Sequence, residues 1–382
     1  NIMNFLENEL NYDELDITFK NNELNYLTNI FKAYDDFWYQ NIYDKNKHKY
    51  VKTAKRSPNT QYGKINNFYR RGYLILETNE YYYPLDDYIK LKKRKRTLTS
   101  LENTIIKNSG NGKRQSDVQD IIKNSNFSKT YMTNVMKNAV INIEEIKEKK
   151  VVLSTEKLFI NMDDCFISSL FNNKKQKNRI RTISANKGKD LEKSTKSRNV
   201  LKDKKITYMK TKNGQRIKKQ ELIDKIYEFL DLQFIYSKSS LVFIGDGAPW
   251  IKTTAKKENI PYVIDRHHAF KALKKGFIIN RKVDNKKLTN AYNLFVNGEY
   301  YKLLDYLKEN NVNEEIYKYF KNNKNGVINQ KENWNQGVCA ESDVSHLVKS
   351  LKGYGAKIFN DKVLDNMLII NSARINKLNL LL

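Results

Sequence analysis

The sequence predicts an α/β protein: a mixed sheet covered by helices, interrupted by a helical insertion and preceded by a helical region with a helix-turn-helix-like segment. Three observations carry this expectation. Residues 151–265 alternate β-rich runs with amphipathic helical ones, residues 269–331 are helical in pattern, and apolar residues in 1–45 and 99–140 recur at helical spacing.

In the N-terminal stretch, Phe5, Leu6 and Leu10, then Leu27, Ile30, Phe31 and Tyr34, recur at helical spacing. Tyr62, Phe68, Tyr69, Tyr73, Ile75 and Tyr81–Tyr83 then alternate with polar residues, which predicts short strands. Pro84-Leu85-Asp86 closes that segment with a turn signal. The basic run Lys92-Lys93-Arg94-Lys95-Arg96 comes next, either as a solvated face or as a linker that touches phosphates. Ser116-Asp117-Val118-Gln119 fits a capping box opening a helix from Asp117 to Lys123. Asn124-Ser125-Asn126 is a turn, and Ser128 caps a second helix through Ala139. Two short helices around a polar turn match a helix-turn-helix, whose second helix enters the major groove. Its candidate readers are Lys129, Thr130, Thr133 and Asn134.

Val151–Leu153, Leu158–Met162, Arg179–Ile183 and Ile206–Met209 are strand candidates. Glu221–Phe234 follows as a helix with Leu222, Ile223, Ile226, Phe229 and Leu230 on one side. Ser240–Ile244 is a compact apolar strand, Trp250–Glu258 suits a helix and Tyr262–Ile264 a strand. Three strands, helix, strand, helix, strand is the order a ribonuclease-H-like mixed sheet requires. Helical patterns then cover Ala269–Phe277, Leu288–Asn297, Tyr300–Asn310 and Glu314–Asn322, and most of the chain from Val338 onward. The expected divisions are 1–98, a helical and short-strand region; 99–148, the helix-turn-helix-like region; 149–268, the first part of the core; 269–335, the helical insertion; and 336–382, the C-terminal helical part of the core.

The chain has 382 residues, 70 basic against 43 acidic, for a formal net charge of +27. Such a surplus repels itself unless it meets a polyanion. Nucleic acid is the first choice and a membrane surface the second. A codon-driven richness in Lys, Asn, Ile and Tyr is the bland alternative. Residues 171–220 hold 18 Lys or Arg against Asp190, Glu192 and Asp203. This stretch is either a flexible surface hairpin or a strip that grips DNA phosphates, with Arg179 and Arg181 among the candidates. Cys165 and Cys339 form no CxxC pair, which argues against a disulfide framework or a zinc knuckle and fits a reduced, cytoplasmic setting. No apolar run reaches the ~18 residues of a membrane span, and no signal peptide is visible.

Cleaving and joining phosphodiesters requires an activated oxygen nucleophile and a stabilised leaving oxygen. Two divalent metals held by carboxylates from the ends of several elements can supply both. Three segments offer such acids. In Phe159-Ile160-Asn161-Met162-Asp163-Asp164-Cys165, acids interrupt a strand-like run, where burial is costly unless they are paired or metal-bound; either Asp163 or Asp164 could be the ligand. In Leu241 to Trp250, four apolar residues end in Gly245-Asp246-Gly247, which suits a sharp turn and close substrate approach. In Ala340-Glu341-Ser342-Asp343-Val344-Ser345-His346, Glu341 could open a helix.

Together these segments resemble the ISLre2-type transposase family, related to the Mutator-like DDE group. The resemblance rests on Asp163, on Gly245-Asp246-Gly247-Ala248-Pro249-Trp250-Ile251, on Asp265-Arg266-His267-His268 with Phe270 and Lys271, and on Ala340 to His346. It implies a ribonuclease-H-like core with Asp163, Asp246 and Glu341 as a catalytic, metal-holding triad and Mg²⁺ or Mn²⁺ as cofactor. It further implies that Asp265 and His268 form a DxxH signature acting on the DNA, alongside Trp250. The implied protein is a DNA transposase working as a homo-oligomer on mobile-element ends and target DNA, in a bacterial, nucleoid-associated setting and with no membrane partner. A ribonuclease-H-like nuclease without strand transfer and a non-enzymatic DNA-binding regulator are the rival expectations.

Overall fold

The computed structural model describes residues 12–66, 68–122, 127–195, 199–212, 215–279, 281–337, 345–352 and 358–382. The chain forms two units, Asn1–Val140 and Ile141–Leu381.

The first unit opens with helix α1, Tyr12–Asn41. Strands β1 (His48–Arg56), β2 (Phe68–Ile75) and β3 (Glu80–Tyr82) make an antiparallel sheet in that order. Strand β1 has no apolar alternation to mark it in the sequence, because it is an edge strand with most side chains exposed. Phe31, Ile65, Phe68, Leu85, Leu91 and Leu98 bury together beneath the sheet and α1. Pro84–Tyr88 is a short helix, more than the expected turn; Pro84 takes a first-turn position, where its missing N–H costs nothing.

Helices α2 (Thr99–Gly110), α3 (Gln115–Ile121) and α4 (Lys129–Asn138) follow. They pack through Leu101, Ile105, Val118, Ile122 and Met132. In place of the expected box at Ser116, the helix opens at Arg114 with only the reciprocal half of a box, since a guanidinium cannot accept a hydrogen bond. Arg114 is the N-cap, and its backbone N–H donates to the Asp117 carboxylate at 3.1 Å. The Ser128 cap stands as expected, accepting from the Tyr131 amide at 3.1 Å.

The second unit is a mixed α/β body. Its main sheet contains β4 (Leu158–Phe171), β5 (Lys174–Asn186), β6 (Lys205–Lys212), β7 (Leu241–Gly245) and β8 (Tyr262–Ile264), in the spatial order β6-β5-β4-β7-β8. The first three are antiparallel, while β7 and β8 run parallel to β4. Helix α5 (Lys219–Gln233) joins β6 to the later strands, and α6 (Pro249–Glu258) joins β7 to β8. Parallel neighbours need such crossovers, and both faces of the central strands are buried accordingly.

The pleat divides the core in two. Leu158, Ile160, Met162 and Phe243 face a core shared with Ile226 and Leu230 of α5 and with Ile251 and Ala255 of α6. Phe159, Val242, Ile244 and Val263 form a cluster of their own. Beyond β8 come α7 (Arg266–Gly276), α8 (Asn285–Val296), α9 (Tyr300–Glu309) and α10 (Glu314–Lys321). Leu273, Ala291, Phe295, Leu303, Leu307 and Phe320 bury their apolar stripes against the first core. Helix α11, Asp361–Asn376, buries Val363, Leu364, Met367 and Leu368.

The hairpin β4–β5 runs far past the expected strand end at Met162 because buried polar groups satisfy one another there. The Ser169 hydroxyl donates to the Asp361 carboxylate at 2.7 Å, Gln176 donates to the same oxygen at 2.9 Å, and Lys210 reaches it at 2.7 Å. Asn178 donates to the Ser169 hydroxyl at 2.7 Å. Such a buried polar network can replace apolar packing, although the Asn178 Oδ1 atom meets no partner among the described residues. Among the described residues no helix is long and apolar enough to cross a membrane.

Candidate active site

Register builds the site. Gly245, the last residue of β7, pairs with Met162 of β4, and Ile264, the last residue of β8, pairs with Gly245. The next residue on each strand is an aspartate: Asp163, Asp246 and Asp265. Neighbouring strands lie about 4.8 Å apart, so three acids stand at one level across three adjacent parallel strands, Asp163 within β4 and the other two just past β7 and β8. The Asp265 amide still donates to the Gly245 carbonyl at 2.8 Å, which extends the alignment to that residue.

Each acid is held by its own backbone. The Asp163 carboxylate accepts from the Asp164 amide at 2.7 Å, and Asp246 accepts from the Ala248 amide at 2.9 Å. Asp265 is the N-cap of α7, accepting from the His267 amide at 2.7 Å, and is fully buried. Asp163 and Asp246 are half-buried. Gly247 has φ +95°, a left-handed conformation that glycine adopts freely, and this lets the chain turn sharply after Asp246.

His268, one turn into α7, sets its Nδ1 3.7 Å from Asp265, a charge contact longer than a hydrogen bond. Burial disfavours its imidazolium, but Asp265, then Asp163 and Asp246, outweigh that and hold His268 above the ordinary histidine range. The charges of all three aspartates therefore converge on this imidazole.

The helical block supplies supports that no local signal announced. The Tyr319 hydroxyl of α10 donates to the Asp246 carbonyl at 2.9 Å. Burial first, then the charges of Asp246 and Asp265, raise the Tyr319 hydroxyl, which keeps it protonated as a donor. Gln330 donates to the Ile264 carbonyl at 2.7 Å, and Asn329 to the Tyr262 carbonyl at 2.9 Å, so side chains occupy the open edge of β8. Gln330 also accepts from Arg266 at 3.1 Å.

The other expected residues fall into separate places. Lys129, Thr130 and Asn134 are exposed on α4. Thr133 is half-buried, accepting from Gln115 at 2.9 Å and donating to the Lys129 carbonyl at 3.1 Å. Arg181 departs from the phosphate-gripping expectation. It is 3% exposed, binds Asp164 through two bonds of 2.8 and 2.9 Å, and lies 3.4 Å over the Trp250 ring. With two donors on Asp164, its face on Trp250 and almost no exposure, this guanidinium is a buried structural cation and not a surface contact for phosphate. Trp250 is half-buried beneath it. Asp164 is engaged as Arg181's partner, whereas the Asp163 carboxylate accepts from the Asp164 amide. Arg179 is half-buried, 3.8 Å from Asp164 and beside the exposed Phe166 ring. Glu341 lies outside the described residues. Among the described residues, no three His, Cys, Asp or Glu side chains form a metal-holding group.

Fold and site together define a mixed α/β protein in which Asp163, within β4, stands level with Asp246 and Asp265, which directly follow β7 and β8. The chain belongs to the uncharacterised protein family UPF0236, which matches residues 4–357. No curated protein matches the sequence.

Proposed function

We propose that this protein is a DDE transposase with a ribonuclease-H-like core, cutting and joining DNA at the ends of a mobile element. The observation that carries the reading is the register of Met162 with Gly245, which aligns Asp163 with Asp246 on neighbouring strands. The strand order, three antiparallel strands followed by two parallel ones, agrees with it, as does the +27 net charge.

The donor set fits a hard cation. Asp163 and Asp246 present carboxylate oxygens, which suit Mg²⁺ or Mn²⁺, and Glu341 would be the third acid. A bound divalent cation supplies charge neutralisation at the attacking and leaving oxygens. The chain's own residues do the rest. Asp265 fixes the start of α7, and His268, whose imidazolium form the Asp265 carboxylate favours, can face a phosphate oxygen or donate a proton. Tyr319 and Gly247 keep the Asp246 turn in one conformation.

The test uses the full chain, duplex DNA carrying the element's ends, and Mg²⁺ or Mn²⁺. Cleavage followed by joining of the freed 3′ end to a second duplex is expected, and Asp246→Asn or Asp163→Asn should abolish both while DNA binding persists. Cleavage without joining points to a nuclease; equal excision by wild type and Asp246→Asn defeats the enzymatic reading.

A further inference from the structure

We infer that a cationic cavity in the N-terminal unit holds backbone phosphates of a nucleic acid. The cavity measures about 620 Å³ and is lined by Arg56, Lys64, Arg94, Lys95 and Arg96 with Ser57, Pro58 and Asn59; no carboxylate lines it. Its residues come from three stretches of chain: the end of β1, the turn at 57–64, and the basic run that in sequence reads equally as a solvated face or a linker.

That run is folded. The Asn59 amide donates to the Arg96 carbonyl at 2.8 Å, the Leu98 amide to the Asn59 carbonyl at 2.9 Å, and the Lys95 amide to the Lys92 carbonyl at 3.0 Å. Arg56 fastens the loop from within. It pairs with Asp86 at 2.9 Å and donates to the carbonyls of Lys92 and Lys95. Lys95 in turn is bound by Glu102 at 2.8 Å.

Two of the five cations are therefore neutralised from behind. No ion pair among the described residues engages Lys64, Arg94 or Arg96, and all three are exposed. Three uncompensated charges line one concavity built on a fixed backbone, with Ser57 and Asn59 also in its wall. Such clustering is self-repulsive until an anion arrives. A water-sized group fills only ~30 Å³ of liquid volume, so one small anion would leave most of the cavity empty. Successive phosphates of a nucleic-acid backbone match both its size and its charge.

The inference depends on the nucleic-acid partner proposed above and not on catalysis. The experiment titrates the full chain, without divalent cations, into a fluorescein-labelled duplex at a series of salt concentrations. Lys64→Ala/Arg94→Ala/Arg96→Ala should lower affinity on the order of tenfold. It should also shrink the slope of log affinity against log salt by about 0.9 for each phosphate no longer neutralised. Lys64→Arg/Arg94→Lys/Arg96→Lys should keep both. Unchanged affinity and slope in the alanine variant overturns the inference. In a second arm, duplex DNA should shield Lys64 from acetylation better than orthophosphate at equal phosphate concentration. Shielding by orthophosphate with none by DNA overturns the nucleic-acid assignment. A protein that shows the expected slope yet never cleaves DNA defeats the transposase reading alone. One that cleaves while the alanine variant binds as well as wild type defeats only this inference.

Discussion

The Tyr319 hydroxyl donates a 2.9 Å hydrogen bond to the carbonyl of Asp246, tying helix α10 to the turn that follows strand β7. The donor lies 73 residues from its acceptor, so the helical block acts on the site through this bond. Tyr319→Phe keeps the ring and removes one bond, which should cost about 1 kcal/mol of stability. The loosened turn should also weaken Mn²⁺ binding in a direct titration. Unchanged metal affinity in a folded Tyr319→Phe protein would show that the hydroxyl does not position Asp246.

Gly247 gives the same turn a second constraint. A Cβ there would lie 2.8 Å from the Tyr319 ring and 3.1 Å from the Asn323 amide, at a φ of +95°. Gly247→Ala therefore combines a strained backbone with a clash, and should destabilise the protein by more than about 1 kcal/mol. Thermal unfolding measures it. A Gly247→Ala/Tyr319→Ala pair should recover part of the clash but none of the backbone strain.

Asp361 supplies a pH-dependent brace at the other end of the sheet. Burial raises its carboxyl, but Lys210, Ser169 and Gln176 outweigh that and hold it below the ordinary range. A depressed carboxyl stabilises the fold fully above its unfolded pKa, about 3.9. That contribution is lost as pH falls through the lower, folded value. Urea unfolding at descending pH should show stability dropping below about pH 4, and Asp361→Asn should remove part of that drop while lowering stability at neutral pH. An identical acid profile in the variant would mean other carboxylates carry the effect.

Local pattern made some of this architecture legible and not the rest. Tyr262–Ile264 is a strand with the bounds its sequence suggests, because a buried parallel strand is a short apolar run with clear ends. Strand β4 is readable only to Met162; past it, Asp163, Asp164, Ser168 and Ser169 break the apolar run, and Asp164 finds its partner in β5 and Ser169 in α11. Acids at strand ends can be seen in the sequence. Their alignment cannot, because register is a relation between strands. Tyr319, Gln330 and Asn329 carry no signal at all: each reads as an ordinary polar residue of a helical segment until the block docks on β7 and β8. Arg181 misleads because a basic residue in a basic stretch looks exposed, whereas β-pairing sets it opposite Asp164.

That cross-strand pair leads to the sharpest stability expectation. Arg181 has a side chain 4% exposed, joined to Asp164 through both arms of its guanidinium and stacked on Trp250. Trp250 belongs to the first turn of α6, directly after the Asp246 turn, so the stack fastens that helix to the β4–β5 hairpin. Arg181→Ala leaves a mostly buried Asp164 with only the more distant Arg179, at 3.8 Å, as counter-charge, and removes the surface on which Trp250 rests. Breaking such a pair from one side typically costs about 3 kcal/mol. Arg181→Lys should recover less than half, since an ammonium can neither bridge both oxygens nor stack as a plane. Denaturant unfolding of the two variants and of Arg181→Met decides between the contributions. If Arg181→Met is as stable as wild type, apolar packing on Trp250 accounts for the clamp and the charge pair contributes nothing net.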